Sequence, residues 1–505
     1  MVRNPNRRDV LTTTAKIAAA GGLGLHSLVA ARAVPAKVRG AAPVKVRSAT
    51  PANEIDALLH AATRGGEVPG VVAMAATDND LVYEGAFGWR KLHGGAAMTR
   101  DTVFRVASMV KVITSVAALQ LVEQDKLSLD APVPDIEPAL GAPQVFDGFD
   151  KAGKPELRPA KTPISLRQLL THTSGFTYRL WDAKAFDYFK KVDALPMAER
   201  KKAPREPLMF DPGDRWQYGP SIDWVGRIVQ QVSGEPIGAY FHKHILGPLG
   251  MKDTAFVISP QQQAREAYVH KRRPDGILMP EPMEKQLPQQ AFSGGGGIYS
   301  TGPDYLTFIR MLMNGGSLGD VRILRPETVA LMGENQIGDV DVGVLHTMSP
   351  AVSNDVDFFP EITRKWGFGH LINMQEVPER RSAGSLTWGG LFNTYYWIDP
   401  VKHVAAIFMT QVLPFADHQA LQPDGIGARG QWRYPHRIPL DPRGARHHQP
   451  SPKRPRRDPA DRNAPILQPE PATIPTEARI PAPPRTPRQP PSDRHRRPRR
   501  PRRRR

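Results

Sequence analysis

The sequence contains no cysteine, no zinc-type spacing of histidines and no evident internal repeat. Missing cysteines are compatible with an oxidising compartment, where an unpaired thiol is a liability. No His-x-x-x-His pair stands beside an acidic residue, which argues against a zinc hydrolase. The apolar run at Ala15–Ala31 is too short and too small in side chain for a membrane span. We therefore predict no metal, no cofactor and no transmembrane span in the mature protein.

The net charge of +18 is concentrated at the two ends of the chain. Residues 426–505 contain 22 Lys and Arg against 6 Asp and Glu, and residues 1–47 contain 9 against 1. Residues 48–425 are therefore mildly acidic, and we expect no specific nucleic-acid partner for them. This middle part is long enough to bury a large core, as one domain or two closely packed ones. The sequence does not indicate an oligomeric state.

The N-terminus has the pattern of an export signal. Paired arginines, Arg7 and Arg8, precede the moderately apolar run, and Ala31-Arg32-Ala33 follows as a small-x-small cleavage candidate. The segment resembles a twin-arginine signal, although Val10 replaces the usual phenylalanine. We predict a signal peptide over residues 1–33, a linker over 34–49, and a periplasmic or secreted mature protein. The alternative is a disordered basic start.

Hydrophobic periodicity stops at about Gln422. Residues 426–505 contain 19 prolines and end in the run Arg502–Arg505. Such a composition cannot bury enough apolar surface to offset the entropy of ordering, so we predict a disordered tail over 422–505. One hypothesis makes this tail a nucleic-acid or anionic-surface binder. The favoured hypothesis is out-of-frame translation of GC-rich DNA.

Residues 50–421 predict one domain that mixes helices and strands. Val71–Ala76 and Leu81–Phe87 have strand patterns and are separated by a short polar turn, which predicts a hairpin. A mainly helical insert is expected at about 120–295. Late in the chain come further predicted strands, namely Trp366–Ile372, Ser385–Trp388, Phe392–Ile398 and His403–Val412. The predicted fold is α+β, with one antiparallel sheet built from both ends of the domain and flanked by helices.

Ser108 and Lys111 stand one helical turn apart near the start of an apolar-periodic stretch, Val106 to Val122. On a helix this spacing places both side chains on one face, with the amine in reach of the hydroxyl. A serine hydroxyl is a poor nucleophile at neutral pH, and a neighbouring amine of depressed pKa can remove its proton. Ser-Lys pairs are a recognised catalytic arrangement. Alone, however, Ser-x-x-Lys is a weak signal.

Five blocks in a fixed order resemble the serine β-lactamase and penicillin-binding-protein superfamily. They are Phe104–Lys111, Ile164–Phe176, Trp216–Tyr218 followed by Asp223–Val229, Gly294–Ser300, and Trp388–Gly390. The chain is most similar to class C β-lactamases and the family VIII carboxylesterases. Chance agreement of five ordered blocks is very unlikely. The resemblance implies a β-lactamase/transpeptidase-like fold and covalent catalysis through an acyl-enzyme.

Carried over residue by residue, the resemblance implies three catalytic side chains and two backbone oxyanion donors. Ser108 is the nucleophile, and Lys111 and Tyr218 act as its acid and base. The backbone N–H groups of Ser108 and Leu391 form the oxyanion hole, where one donor typically contributes about 3 kcal/mol to lowering the barrier. His172 could be taken for the base of a Ser-His pair, but the resemblance places it in a structural turn.

Trp388, Gly389 and Gly390 would form the substrate-binding edge strand. There the glycines let a substrate approach closely; a glycine-bearing bulge without function is the alternative. β-Lactamases carry Lys-Thr-Gly at this place, and their lysine holds the antibiotic's carboxylate. Trp388 has no charge, and Pro220 stands where the family has the asparagine of Tyr-x-Asn. Both departures favour uncharged esters over β-lactams.

The sequence thus predicts an exported serine hydrolase that cleaves a small-molecule ester or amide, with carboxylic esters preferred. A β-lactamase or D-alanyl-D-alanine peptidase on the same fold is the first alternative. A non-catalytic protein that binds cell-wall peptide or nucleic acid is an alternative of another class. Family members also end in a helix that covers the sheet, and Pro423-Asp424-Gly425 interrupts this helix here. We therefore expect reduced stability.

Overall fold

The computed structural model describes residues 52–201, 203–286, 288, 292–377 and 380–420. The predicted signal peptide, linker and tail lie outside these ranges, as does the interrupted final helix beyond residue 420. Those four predictions therefore stay predictions. None of the described helices is both long and apolar enough to cross a membrane.

A seven-stranded antiparallel sheet forms the centre of the domain. Its strands, in spatial order, are β11 (Arg364–Trp366), β12 (Leu371–Asn373), β13 (Leu386–Gly390), β14 (Thr394–Asp399), β15 (Val404–Met409), β1 (Gly70–Thr77) and β2 (Leu81–Gly88). β1 pairs with β15, so the first and last strands of the domain are neighbours. This confirms the predicted sheet built from both ends of the chain, and with it the predicted fold class.

The remaining strands are short and form small sheets. They are β3 (Phe104–Arg105), β4 (Gln144–Phe149), β5 (Pro155–Pro159), β6 (His270–Arg272), β7 (Leu278–Pro280), β8 (Tyr299–Ser300), β9 (Ser317–Leu318), β10 (Val321–Arg322) and β16 (Val412–Leu413). β3 pairs with β8, which joins the nucleophile segment to the glycine-rich segment. β16 pairs in parallel with β6, so the chain after the last sheet strand is fixed to the middle of the domain.

One predicted strand is wrong. Residues 366–372 were expected to form a single strand, whereas the chain reverses there between β11 and β12. Gly369 has a φ of +97°, a backbone conformation that glycine adopts without strain. The Gly367 N–H donates to the His370 carbonyl at 2.9 Å and closes the turn. The apolar residues on both sides of this turn had given the pattern of one continuous strand.

The described helices are α1 (Ala52–Arg64), α2 (Val110–Glu123), α3 (Leu166–Leu170), α4 (Ala183–Asp193), α5 (Met197–Arg200), α6 (Ser221–Ser233), α7 (Ile237–Phe241), α8 (Pro260–Gln263), α9 (Gly302–Met313) and α10 (Pro326–Met332). A π-helical turn, His242–Leu246, continues α7, and 3₁₀ turns occupy Ala107–Met109, Val133–Asp135 and Pro138–Leu140. α3 to α8 lie in the middle of the chain, together with the hairpins β4–β5 and β6–β7.

Helices pack on both faces of the sheet. Gly302, at the start of α9, lies against Val72, Met74 and Ile407, and a Cβ there would approach the Met74 sulfur to 2.9 Å. Successive strand residues point to opposite faces, so Tyr83, which pairs with Ala75, lies on the other face. Its hydroxyl donates to Asp56 of α1 at 2.9 Å. α9 and α1 therefore cover opposite faces of β1.

Candidate active site

Ser108 lies in the 3₁₀ turn that leads into α2, and Lys111 lies in the first turn of α2. The Lys111 Nζ is 3.2 Å from the Ser108 Oγ. The predicted helical spacing thus brings the two groups into hydrogen-bond contact, although the first turn is 3₁₀ rather than α. Ala107 has a φ of +44°, which is costly for a residue with a side chain. Such strain next to a reactive residue is typical of functional sites.

The Lys111 amine is buried, with the residue only 1% exposed. Besides Ser108, it donates to the Gly295 carbonyl at 2.7 Å and to the Tyr178 hydroxyl at 3.4 Å. Three oxygen atoms therefore surround the amine nitrogen within hydrogen-bond distance. Asp223 supports two of these acceptors, because it accepts from the Gly295 N–H at 3.1 Å and from the Tyr178 hydroxyl at 3.3 Å.

Tyr218 lies beside this pair. Its ring centroid is 5.0 Å from the Lys111 Nζ, and the residue is 2% exposed. Two backbone hydrogen bonds hold its segment in place: the Gln217 N–H donates to the His172 carbonyl at 3.0 Å, and the Tyr178 N–H donates to the Tyr218 carbonyl at 3.1 Å. The structure therefore places Tyr218 close to Lys111, which in turn contacts Ser108.

Tyr178 is a second tyrosine at the site, and the sequence had not indicated it. Its hydroxyl bridges Lys111 and Asp223. Burial, followed by the neighbouring Asp223 carboxylate, raises the pKa of Tyr178 well above its usual value. A phenol held in the neutral form is a poor proton acceptor at neutral pH. The only signal in the sequence was its place two residues after the block Ile164–Phe176.

Trp388, Gly389 and Gly390 belong to β13, which is buried throughout. The prediction of an edge strand is wrong, because β13 lies between β12 and β14 in the sheet. The two glycines were predicted to let a substrate approach closely. In the structure, however, protein atoms lie where side chains at these two positions would stand. A Cβ on Gly389 would lie 2.6 Å from the Tyr395 ring, and a Cβ on Gly390 would overlap the Val106 carbonyl oxygen. The glycines thus allow the strand to pack closely against the nucleophile segment.

One cavity of about 500 Å³ is lined by most of the predicted site residues, although Lys111 and Gly390 are not part of its wall. Its wall is mainly apolar and aromatic, and Arg105, Arg179, Glu284 and Lys285 bring charges to it. The lining residues named as catalytic or substrate-binding candidates are Ser108, Tyr218, Trp388, Gly389 and Leu391. Within the described ranges, no residue accepts a hydrogen bond from the Leu391 N–H. That donor is therefore available to a ligand in the cavity.

Arg105 is a charged wall residue that the sequence did not single out. Its Nε–H donates to the buried Glu266 at 3.0 Å, and an Nη1–H donates to the exposed Glu284 at 2.7 Å. Its backbone N–H and carbonyl both bond to the Gln411 side chain. These contacts fix the strand that precedes Ser108.

His172 contacts Tyr218 rather than Ser108. The two ring centroids are 4.8 Å apart, and neither imidazole nitrogen has a hydrogen-bond partner among the described residues. Burial, together with the nearby Lys111 charge, lowers the pKa of His172 well below 6.5. The imidazole is therefore neutral, and it packs against the tyrosine.

A Gly-x-Ser-x-Gly pattern, typical of the nucleophile of α/β-hydrolases, occurs at Gly315–Gly319. That nucleophile requires a strand-to-helix turn, whereas these residues follow α9 and form the β9–β10 hairpin. Ser317 does not line the cavity. Within the described part of the chain, no group of three or more His, Asp or Glu side chains is arranged to hold a metal ion.

Residues 55–428 match the family model described as Beta-lactamase. Among curated proteins, the chain is similar to a lovastatin esterase from Penicillium rubens, with 32% identity over 71% of this chain and 93% of the esterase.

Two solved structures are also similar. One is a simvastatin synthase variant from Aspergillus terreus, with a TM-score of 0.65, 30% identity and coverage of 73% of this chain and 95% of the synthase. The other is EstCE1, described as a hydrolase with promiscuous acyltransferase activity, with a TM-score of 0.57, 25% identity and coverage of 74% and 97%.

Proposed function

Because this chain belongs to the β-lactamase family and is a serine hydrolase of that fold, we propose that it cleaves uncharged carboxylic esters through an acyl-enzyme on Ser108. The contact that carries the proposal is the 3.2 Å approach of the Lys111 Nζ to the Ser108 Oγ inside a mainly apolar cavity. The absence of a cation at Trp388 favours esters over β-lactams, whose carboxylate would lack a partner there.

In the proposed reaction, Lys111 and Tyr218 together accept the proton of Ser108 as its Oγ forms a bond to the ester carbonyl carbon. The backbone N–H groups of Ser108 and Leu391 donate to the oxygen that becomes negative. The C–O bond to the alcohol then breaks, and the alcohol leaves with the proton. A water molecule, deprotonated by the same groups, next attacks the acyl carbon and releases the acid and free Ser108.

The test is a burst experiment with p-nitrophenyl butyrate. We expect one equivalent of p-nitrophenol per enzyme in the burst when deacylation is slower than acylation, and loss of both burst and turnover in Ser108→Ala. Ser128→Ala, at an exposed serine outside the cavity, is the control and should keep activity. Efficient cephalosporin hydrolysis with negligible ester hydrolysis would contradict the ester assignment in favour of a β-lactamase.

Acyl transfer to an alcohol is a second candidate function. It is supported by EstCE1, whose description includes promiscuous acyltransferase activity, and by a cavity large enough for an acyl group and an organic acceptor. In that case an alcohol replaces water in the second step. Adding an alcohol to the ester assay should yield the exchanged ester by mass spectrometry, whereas an enzyme limited to hydrolysis yields only butyrate.

Export through a twin-arginine signal completes the proposal, and it is supported by the Arg7-Arg8 pair and the apolar run that follows. Replacing both arginines by lysine should reduce the exported fraction in a bacterial host with twin-arginine transport. Arg3→Lys is the control, because it conserves the charge outside the pair. Equal export of both variants would contradict this assignment.

A further inference from the structure

The Trp388 indole makes a direct contact with the candidate base. Its Nε1–H donates to the Tyr218 hydroxyl oxygen at 3.3 Å, and the two ring centroids are 4.9 Å apart. Both residues are only 2% exposed. Within the described ranges, no residue accepts a hydrogen bond from the Tyr218 hydroxyl. The tyrosine oxygen thus has one fixed donor, while its own proton remains free for another partner.

The donor is held rigidly. Trp388 lies in the middle of β13. Its ring packs edge-on against Trp366 at 4.6 Å and in a tilted orientation against Phe358 at 5.2 Å. The Trp366 indole is in turn fixed by a hydrogen bond to the Leu170 carbonyl at 3.3 Å. A donor that cannot rotate away needs no reorganisation when charge develops on its acceptor.

The chemistry of the indole decides what this contact can do. Indole N–H is a donor only, so Tyr218 cannot give its proton to Trp388. The phenolic proton is therefore free to point away from Trp388, towards the cavity that Tyr218 and Ser108 both line. A hydrogen bond donated to an oxygen also favours the anionic form of that oxygen.

We propose that Trp388 is a positioning residue for Tyr218: its indole N–H directs the phenolic proton into the cavity and stabilises the phenolate during proton transfer. The proposal rests on the proposed role of Tyr218 as acid and base. It gives Trp388 a function besides its predicted place in the substrate-binding strand. A neutral donor here stands where the lysine of Lys-Thr-Gly stands in β-lactamases.

Trp388→Phe is the direct test, because phenylalanine keeps an aromatic face and lacks the N–H. One neutral hydrogen bond corresponds to an effect of about 3- to 10-fold. We expect kcat for p-nitrophenyl butyrate to fall by that factor and the acidic limb of the pH–kcat profile to move up by roughly 0.5–1 unit. KM should change less than kcat. A residue that only stacks on the substrate would raise KM and leave the profile in place.

Trp216→Phe is the matched control. This buried tryptophan stands two residues before Tyr218, and its indole nitrogen has no hydrogen-bond partner among the described residues. It therefore measures the effect of a smaller ring without loss of a hydrogen bond. The proposal is overturned if the acidic limb of the pH–kcat profile stays in place in Trp388→Phe. It is also overturned if that limb moves by the same amount in Trp216→Phe.

A double substitution shows whether Trp388 acts through Tyr218. If Trp388 acts through Tyr218, Trp388→Phe lowers kcat in the wild-type background and has no further effect on kcat in a Tyr218→Phe background. Equal effects in both backgrounds overturn the positioning role. Failure of the proposed function looks different, because turnover by the unaltered protein would then not depend on Ser108 at all.

A spectroscopic measurement keeps the proposal testable if Trp388→Phe does not fold. In the full-length protein with ¹⁵N-labelled tryptophan, the Trp388 indole N–H resonance should move when Tyr218→Phe removes its acceptor, while the Trp216 resonance moves less. An indole signal of Trp388 that is the same with and without the tyrosine hydroxyl overturns the contact.

Discussion

Two tyrosine hydroxyls compete for the role of acid and base at this site, and their surroundings differ. Tyr178 bridges Lys111 and the Asp223 carboxylate, so its proton already has an acceptor. Tyr218 accepts from an indole and keeps its proton free. The negative charge beside Tyr178 opposes formation of a second anion, whereas the N–H beside Tyr218 favours one. The contacts of the two hydroxyls therefore favour Tyr218 for proton transfer.

The comparison of Tyr178→Phe with Tyr218→Phe tests this assignment. Removing the Tyr178 hydroxyl takes one of three acceptors from Lys111, and we expect kcat/KM to fall by about 3- to 10-fold, the effect of one hydrogen bond. Removing a group that transfers a proton should cost on the order of 10²–10⁴. Steady-state ester hydrolysis measures both. A larger loss in Tyr178→Phe than in Tyr218→Phe would reverse the assignment.

Local spacing and the ordered sequence blocks predicted several residues of the site, but not its long-range contacts. Ser108 and Lys111 are three residues apart, so helical geometry alone brings them together. The Lys111–Tyr178 contact joins residues 67 positions apart, and no periodicity encodes it. The same holds for the bond between Trp388 and Tyr218, where the sequence could indicate each residue but not the direction of the indole N–H.

At the scale of elements, the site depends on how closely β13 approaches the turn before α2. Gly390 lies directly against the Val106 carbonyl, and that carbonyl accepts from the Met109 N–H at 3.0 Å. The strand therefore contacts the turn that holds Ser108. Leu391, whose N–H is the proposed second oxyanion donor, follows Gly390 directly. The spacing of the two proposed donors is thus fixed by strand packing.

Gly390→Ala should disturb this packing. The new Cβ would overlap the Val106 oxygen and Thr394 Oγ1, and overpacking of this kind typically costs about 1–3 kcal/mol. We expect a lower free energy of unfolding in urea and at least a tenfold loss of kcat, since one misplaced oxyanion donor costs more than that.

Gly343→Ala is the control for this prediction. A Cβ at the exposed Gly343 meets nothing within 4 Å, so its stability should stay within about 0.5 kcal/mol of the parent. Unchanged turnover in Gly390→Ala would show that the strand does not set the spacing of the donors.

The pattern of elements was easier to predict than their ends. The alternating apolar residues of β1 and β2 gave the hairpin correctly, because its polar turn is distinct from both strands. β11 and β12 were merged into one strand, because their turn is built from glycines and a buried histidine among apolar residues. A short apolar run does not distinguish one strand from a tight pair of strands.

At the scale of the whole molecule, buried histidines link stability to pH. His270 is fully buried; its Nε2 accepts from the Leu92 N–H at 3.1 Å, and its Nδ1 is 2.8 Å from the Tyr268 carbonyl. Burial lowers the pKa of His270 to about 4. His370 lies beside the Tyr396 hydroxyl at 3.0 Å, and burial lowers the pKa of His370 to about 3. Both are neutral in the folded protein at pH 6.

These depressed pKa values determine whether the protein becomes more or less stable as the pH falls. The unfolded chain binds protons at both histidines below about pH 6.5, whereas the folded chain does not, so stability is lost as pH falls from about 6.5 towards 4. Burial raises the pKa of Asp304 to about 6, which acts in the opposite sense between about pH 6 and 4. The two histidines outweigh the one carboxyl, so these three groups together make the folded protein less stable as the pH falls.

His270→Gln should reduce this acid sensitivity. Glutamine can accept from the Leu92 N–H through its amide oxygen and does not titrate. We expect the slope of unfolding free energy against pH to fall by up to about 1.4 kcal/mol per pH unit between pH 6 and 4.5. Urea unfolding followed by tryptophan fluorescence at several pH values measures the slope. The exposed His60, changed to glutamine, is the control. Identical slopes in the parent and His270→Gln would mean that protonation of His270 does not lower the free energy of unfolding.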